Sequence, residues 1–185
     1  MTAYAAQSIE GVDVTGIYNI YNQASAPSST NSPDYPALPF KLGTQVVCTD
    51  GSRWIFADSV TTITNGSVVA INSTFRATAI GGAGAATAAP EATGMQIGFY
   101  QNSTSLTTGQ AAWFMIQGVP TLLVASAGIT VPLYSSDTAG TLTGTTNTTS
   151  HFQISGITCV VTASGSTASL TSTVANSVSV RKPVG

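Results

Sequence analysis

Charge is what this sequence has least of. Asp, Glu, Lys and Arg make up 6% of its 185 residues, against about 25% in an ordinary soluble domain. From Ala92 to Ser136 none of the four occurs. The cations, Lys41, Arg53, Arg76, Arg181 and Lys182, are spread along the chain, and the formal net charge is −2. Gripping a phosphate backbone needs a basic patch, so nucleic acid is not an expected partner. So little charge also leaves little repulsion between copies, which suits a chain that lives in a symmetric assembly.

Groups that titrate or coordinate are nearly as scarce. His151 is the single histidine and cannot build a His-rich metal site. Cys48 and Cys159 lie in the β-forming runs QVVCT and GITCVV, where a buried apolar filler is the expected role, with a disulfide between them left open. Neither Ser126 nor Ser164 sits in the G-x-S-x-G frame of an activated serine. Of the carboxylates Glu10, Asp13, Asp34, Asp50, Asp58, Glu91 and Asp137, only Asp58 closely follows a strand, and it has no evident acid–base partner. The glycines of GGAGAATAAP lack the Lys-Ser/Thr or strand–helix context of a phosphate cradle. The expectation is a protein that is not an enzyme and takes no metal or cofactor. Sequons at Asn65, Asn72, Asn102 and Asn147 are read as chance matches in a chain rich in Ser and Thr.

Long apolar helices are missing too. The most apolar stretch, AAWFMIQGVPTLLVAS from Ala111 to Ser126, is shorter than the ~20 residues a membrane helix needs. Gly118 and Pro120 would break a helix there. It reads as two strands, AAWFMIQ and TLLVAS, joined by a tight GVP turn, and no membrane is expected as partner. Unbroken apolarity implies strands covered on both faces, one by the domain core and the other by a neighbouring subunit. The opening MTAYAAQSIEG has neither a basic nor an apolar signal region, so synthesis in the cytoplasm is expected.

What the chain does have is β-pattern. TQVVCT and SRWIFADS flank Asp50-Gly51, and TTIT and SVVAIN flank Asn65-Gly66; both are read as hairpins, the first on a type I′ turn. MQIGFYQN, ITVPLYSS, a turn at Asp137 to Gly140, TLTG and HFQISGITCVVTAS continue the series, with a possible short helical turn in TASLTSTVA. The reading is an all-β fold, a small barrel or sandwich of roughly ten short strands. Its aromatics Trp54, Phe56, Trp113 and Phe114 sit among aliphatics and are expected in the core or a subunit interface, ahead of ligand stacking. Leu122 and Leu123 join them as core or trimer-interface candidates.

Residues 1–42 look different from 43–185. Pro27, Pro33, Pro36 and Pro39 fall in ASAPSSTNSPDYPALP, a density that opposes helix and most strand pairing. The expected organisation is an extended N-terminal arm, 1–42, and a β-domain, 43–185. Ile9, Val12, Val14, Ile17, Tyr18, Ile20 and Tyr21 make the arm too apolar for a solvated tail, so they are the candidates for contact with a partner protein. Deleting the arm is expected to leave the domain folded.

The run LGTQVVCTDGSRWIFADSVTTITNGSVVAIN resembles the head decoration (cement) proteins of tailed bacteriophages. There a Gly-led strand, a DG hairpin and an aromatic strand precede an I-T-x-G-x-x-V strand. GQAAWFMIQGVPTLLVASAGITVPLYSSDTAGTLTG is similar to the family's W-x-x-x-x-G strands followed by I-x-x-x-x-x-L-Y-x-S-x-x-A-G. The closing ITCVVTASGSTASLTSTVANSVSVRKP is similar to its last strands. The likeness covers about residues 42–183; Asn65-Gly66-Ser67 departs from the family's aGd, and the Pro-rich arm lies outside it. The resemblance implies a tulip-like β-barrel, a homotrimer, and a virion protein on the capsid exterior whose partners are its own copies and the major capsid protein. The alternative is a trimeric head- or tail-fibre or spike component that binds a host glycan. A secreted carbohydrate-binding module is a third reading.

Overall fold

A computed structural model describes residues 11–19, 38–82, 96–125, 132–144, 152–159 and 168–181, the backbone alone for 158–159 and 168–181. These residues form twelve strands and no helix. In chain order they are β1 (Ile17–Asn19), β2 (Gln45–Val47), β3 (Arg53–Ser59), β4 (Val68–Ile71), β5 (Arg76–Ala79) and β6 (Gln96–Phe99). There follow β7 (Gln110–Gln117), β8 (Thr121–Val124), β9 (Leu133–Ser135), β10 (Leu142–Thr143), β11 (Gln153–Cys159) and β12 (Ala168–Arg181). The all-β expectation holds. The segment considered for a helical turn is instead the start of β12.

The first seven strands make one sheet that closes on itself. β3 pairs antiparallel with β7 along one edge and parallel with β5 along the other. β5 pairs with β4, β4 with β6, and β6 meets β7 at one residue pair, Phe99 with Met115. The path therefore returns to β3, giving a ring of five. β1 shares the β6 edge of β7, and β2 shares the β5 edge of β3. The second ring is the closed barrel β10-β8-β12-β11-β9.

Strand alternation divides the apolar residues of the first ring between two cores. Ile55, Ala57, Val69, Ile71, Ala77, Ala112 and Phe114 fill its interior, with Ile63, Tyr100 and Leu106 from its loops. Small residues are required there: a Cβ on Gly98 would come within 2.9 Å of Ile71 Cδ1 and 3.2 Å of Phe114 Cβ. On the outer face Trp54, Phe56, Val68, Ala70, Ile97, Phe99, Ala111, Trp113 and Met115 merge with Leu122, Val124, Leu133, Leu142 and Ile154 of the second ring. Both faces of β7 are thus covered by the chain itself, and no neighbouring subunit is needed to explain its unbroken apolarity. β7 and β8 do not pair with each other. The Gly118–Pro120 link carries the chain from one ring to the other.

Backbone bonds stitch the two rings together. Leu123 N–H donates to Gly66 O at 2.9 Å, Val68 N–H to Gly140 O at 2.9 Å, Gly140 N–H to Ile80 O at 2.6 Å, and Gly82 N–H to Ser136 O at 3.0 Å. Gln101 acts as a length of backbone: its Oε1 accepts from Thr121 N–H at 2.8 Å, and its Nε2 donates to Thr121 O at 3.0 Å.

Two hairpins share one frame, and it differs from the expected type I′ turn. At the β2–β3 tip, Gly51 N–H donates to Cys48 O and Cys48 N–H to Ser52 O, at 2.9 and 2.8 Å. Gly51 has φ 80, while Asp50 keeps a negative φ. This is a three-residue loop, a type I turn closed by a glycine bulge. Asp50 Oδ1 accepts from both the N–H and hydroxyl of Ser52, whose Oγ accepts from Trp54 Nε1–H at 2.8 Å. The β4–β5 connection repeats the frame, with Phe75 N–H to Asn72 O and Asn72 N–H to Arg76 O. Phe75 stands in the glycine position at φ 61. Its ring lies where a Cβ on Gly43 would come within 2.4 Å, so ring packing holds a backbone conformation that costs an ordinary residue about 1–2 kcal/mol. The Asn65-Gly66 turn is no hairpin: of the residues before it, Ile63 bridges to Leu106, and β4 pairs elsewhere.

Gly140 has φ 76, and a Cβ there would lie 2.5 Å from Ser67 Oγ, whereas Gly11 at φ 75 has open space. Gly140→Ala should therefore cost at least about 2 kcal/mol and Gly11→Ala about 1 kcal/mol, read from urea unfolding midpoints. Equal costs would mean that the packing between the rings at Gly140 is looser than described.

Candidate docking surface

Among the described residues, the three-residue strands β1 and β2 are the open edges of the first sheet. On β2, Cys48 and Thr44 bond to β3, and antiparallel alternation then turns the N–H and C=O groups of Gln45 and Val47 outward. Val47 is 43% exposed, and Val119 is 41% exposed; they are the large apolar side chains left outside among the described residues. They lie at the same end of the sheet. Val47 pairs with Arg53, Arg53 pairs with Gln117, and Val119 follows two residues later. A Cβ on Gly118 would touch Ser52 Cβ at 3.0 Å, so the β2–β3 tip and the inter-ring link are neighbours. Arg53 contributes the local cation, and its Nη2 donates to Gln45 Oε1 at 3.2 Å. No sequence signal marked this surface, because exposed valines in a β-rich chain look like core valines.

The residues read as core or interface are interior. Trp54, Phe56, Trp113, Phe114 and Leu122 are all buried within the chain, and Leu123 is half-buried beside Gly66. Phe40 packs edge-to-face on Phe56 and Trp113, which are tilted against each other, with centroids 5.1–5.6 Å apart, and Tyr18 adds to the cluster at 5.6 Å from Phe56.

The candidate arm residues are placed differently from a free arm. Ile9, Ile20 and Tyr21 lie outside the described residues, as do Pro27, Pro33 and Pro36. Ile17 and Tyr18 belong to β1, hydrogen-bonded to β7. Val14 is 4% exposed in the shared core, and Val12, Tyr18, Leu38 and Phe40 pack against it, while Ile17 packs toward the ring interior. Asn102 Nδ2 donates to Thr15 O and Gln110 Nε2 to Asn19 Oδ1. The segments 11–19 and 38–42 are therefore part of the folded unit, and the side chains of Val14 and Tyr18 are largely spent on this chain.

Asp58 has acquired a partner that sequence spacing did not reveal. Parallel pairing sets it opposite Arg76, whose Nε lies 3.3 Å from Asp58 Oδ2. Burial raises the Asp58 pKa, an effect that Arg76 only partly offsets. Asp58 Oδ1 is buried with no hydrogen-bond partner, as are Trp113 Nε1 and Thr141 Oγ1. Cys48 is a buried free thiol whose pKa burial also raises; the Cys159 side chain and His151 lie outside the described residues. Among the described residues no group of three His, Cys, Asp or Glu could hold a metal ion, and no helix is long and apolar enough to cross a membrane.

No protein-family model matches the chain, and neither does any curated protein.

Two predictions follow from this geometry. Because its pKa is raised on folding, Asp58 binds a proton more readily in the folded state. Its contribution is full at low pH and is lost as pH rises from the ordinary carboxylate range through the raised value. Asp58→Asn should flatten that slope in stability-against-pH measurements, and an unchanged slope would assign it to other carboxylates. Removing residues 1–40 strips β1, Val14 and Phe40 and should cost about 3 kcal/mol or more.

Proposed function

We propose that this chain is a structural virion protein that binds the outer surface of a phage capsid as a homotrimer and reinforces the shell. The observation that carries the reading is the surface. Apart from Asp13, Lys41, Asp50, Arg53, Asp58, Arg76 and Asp137, the residues with described side chains are uncharged. Such a surface loses little hydration when covered, and hydroxyls and amides find partners or water across an interface. Multivalent contact of this kind works through area repeated by symmetry, about 800 Å² or more per partner. The sequence resemblance supports the same reading, and its short motifs fall at structural joints: the DG tip of β2–β3, Gly118 after Trp113 at the link between rings, and Gly140 at the seam.

The Val47–Val119 end is then the first candidate for contact between subunits or with the capsid, since the aromatic candidates are interior. Val47→Asp together with Val119→Asp should abolish trimers in analytical ultracentrifugation, or capsid binding, while the urea midpoint stays within about 0.5 kcal/mol of the parent. The function itself is tested by the copy number of this chain against the major capsid protein in purified particles. A ratio near one to one is expected of a shell-covering cement. A few dozen copies would indicate a fibre or vertex component, and absence from particles would overturn the proposal.

A further inference from the structure

We propose that Asn65–Gly66 is a latent deamidation site, held closed by the seam between the two rings and exposed when that seam opens. An Asn-Gly pair is the sequence most prone to this chemistry, because glycine carries no side chain to shield its amide nitrogen. The Gly66 nitrogen attacks Asn65 Cγ and gives up its proton, and the side-chain amide leaves as ammonia. Water then opens the resulting succinimide at one of its two carbonyls, leaving either aspartate or isoaspartate.

Three features of the folded chain oppose the first step. Gly66 N–H donates to Tyr100 O at 2.8 Å, so its nitrogen is tied to the end of β6. Gly66 O accepts from Leu123 N–H at 2.9 Å, which fixes the next peptide to the second ring. Ser67 N–H to Thr64 O at 3.1 Å and the φ of 80 at Gly66 are the pattern of a type II turn, which sets Asn65 near (−60°, +120°). Ring closure needs the Gly66 nitrogen swung to the Cβ side of the Asn65 Cα–C bond, and this turn holds it away. Reaction therefore requires Gly66 to leave both Tyr100 and Leu123, a local opening of the seam.

The isoaspartate product would not fit back. Isoaspartate adds a methylene to the backbone beside Gly66, where an added Cβ would already lie 3.1 Å from Leu123 N and Cγ. Opening followed by conversion to isoaspartate is thus a one-way exit from the joined state, independent of any role on a capsid. The second Asx-Gly pair, Asp50–Gly51, is closed by a bond within its own hairpin and is insulated from the seam.

The experiment follows isoaspartate at position 65 by peptide mass spectrometry at mildly alkaline pH. The wild-type chain is incubated folded and in urea above its unfolding midpoint, and folded protein should react at least about tenfold more slowly. Gln101→Ala removes both clamps on Thr121 and should speed the folded-state reaction about tenfold. Amide exchange at Gly66 and Leu123 should rise in parallel, and exchange in β3 should not. Equal rates in folded and unfolded wild type would overturn the proposal. So would faster exchange at Gly66 and Leu123 in the variant without faster deamidation. If Gln101→Ala fails to fold, the wild-type comparison decides alone.

Discussion

The structure depends on a seam in which main chain meets main chain across two closed rings. Hydrogen bonds between backbone groups require close approach, and side chains prevent it. The seam is therefore written in glycine: Gly66, Gly81 and Gly140 all have positive φ, and a Cβ on Gly81 would lie 2.4 Å from Ser136 O. Gln101 supplies a pair of bonds where no backbone reaches. Buried backbone groups left unpaired are costly, so these contacts are needed simply for the rings to share a core. The shared core in turn fixes where the outer-face residues of β3, β4, β6 and β7 point.

The same requirement explains why the middle of β7, Ala111 to Met115, is uncharged. A strand that forms the wall of one ring and the floor of another core has no solvent face, so alternate residues serve different interiors: Ala112 and Phe114 inside the first ring, Ala111, Trp113 and Met115 between the rings. Charge between Ala111 and Met115 would be buried and unpaired. Asp58 is the informative exception. It lies near the end of β3, where burial is incomplete, and a parallel neighbour brings Arg76 to it.

Strand content, the hairpin at Asp50-Gly51, the break at Gly118–Pro120 and the covered faces of β7 were legible because each rests on local pattern. Ring closure was not, since it follows from pairings between distant strands such as β3 with β5 and β8 with β10. The β4–β5 turn was hidden because Phe75 occupies a position where glycine would have signalled it. The arm was misjudged for a related reason: Pro27, Pro33 and Pro36 obscured the fact that the apolar residues on either side of them, Val14 and Tyr18 before and Leu38 and Phe40 after, belong to one core. Of the candidate surface, the aromatics were legible as apolar, but their interior placement depends on the second ring covering them.

Closure also bears on the puzzle of low charge. Proteins commonly use charge to keep exposed sheet edges from pairing with other copies. Here both sheets close into rings, and β1 and β2, the outer strands of the first sheet, are each three residues long. Edges that short template little, so repulsion is not needed to guard them. The surface is then free to be neutral, which lowers the cost of covering it. Val47 and Val119 beside the outward groups of β2 are the place where that protection is thinnest. A fold that closes its sheets into rings and leaves one short apolar end open would direct any association to that end without relying on charge.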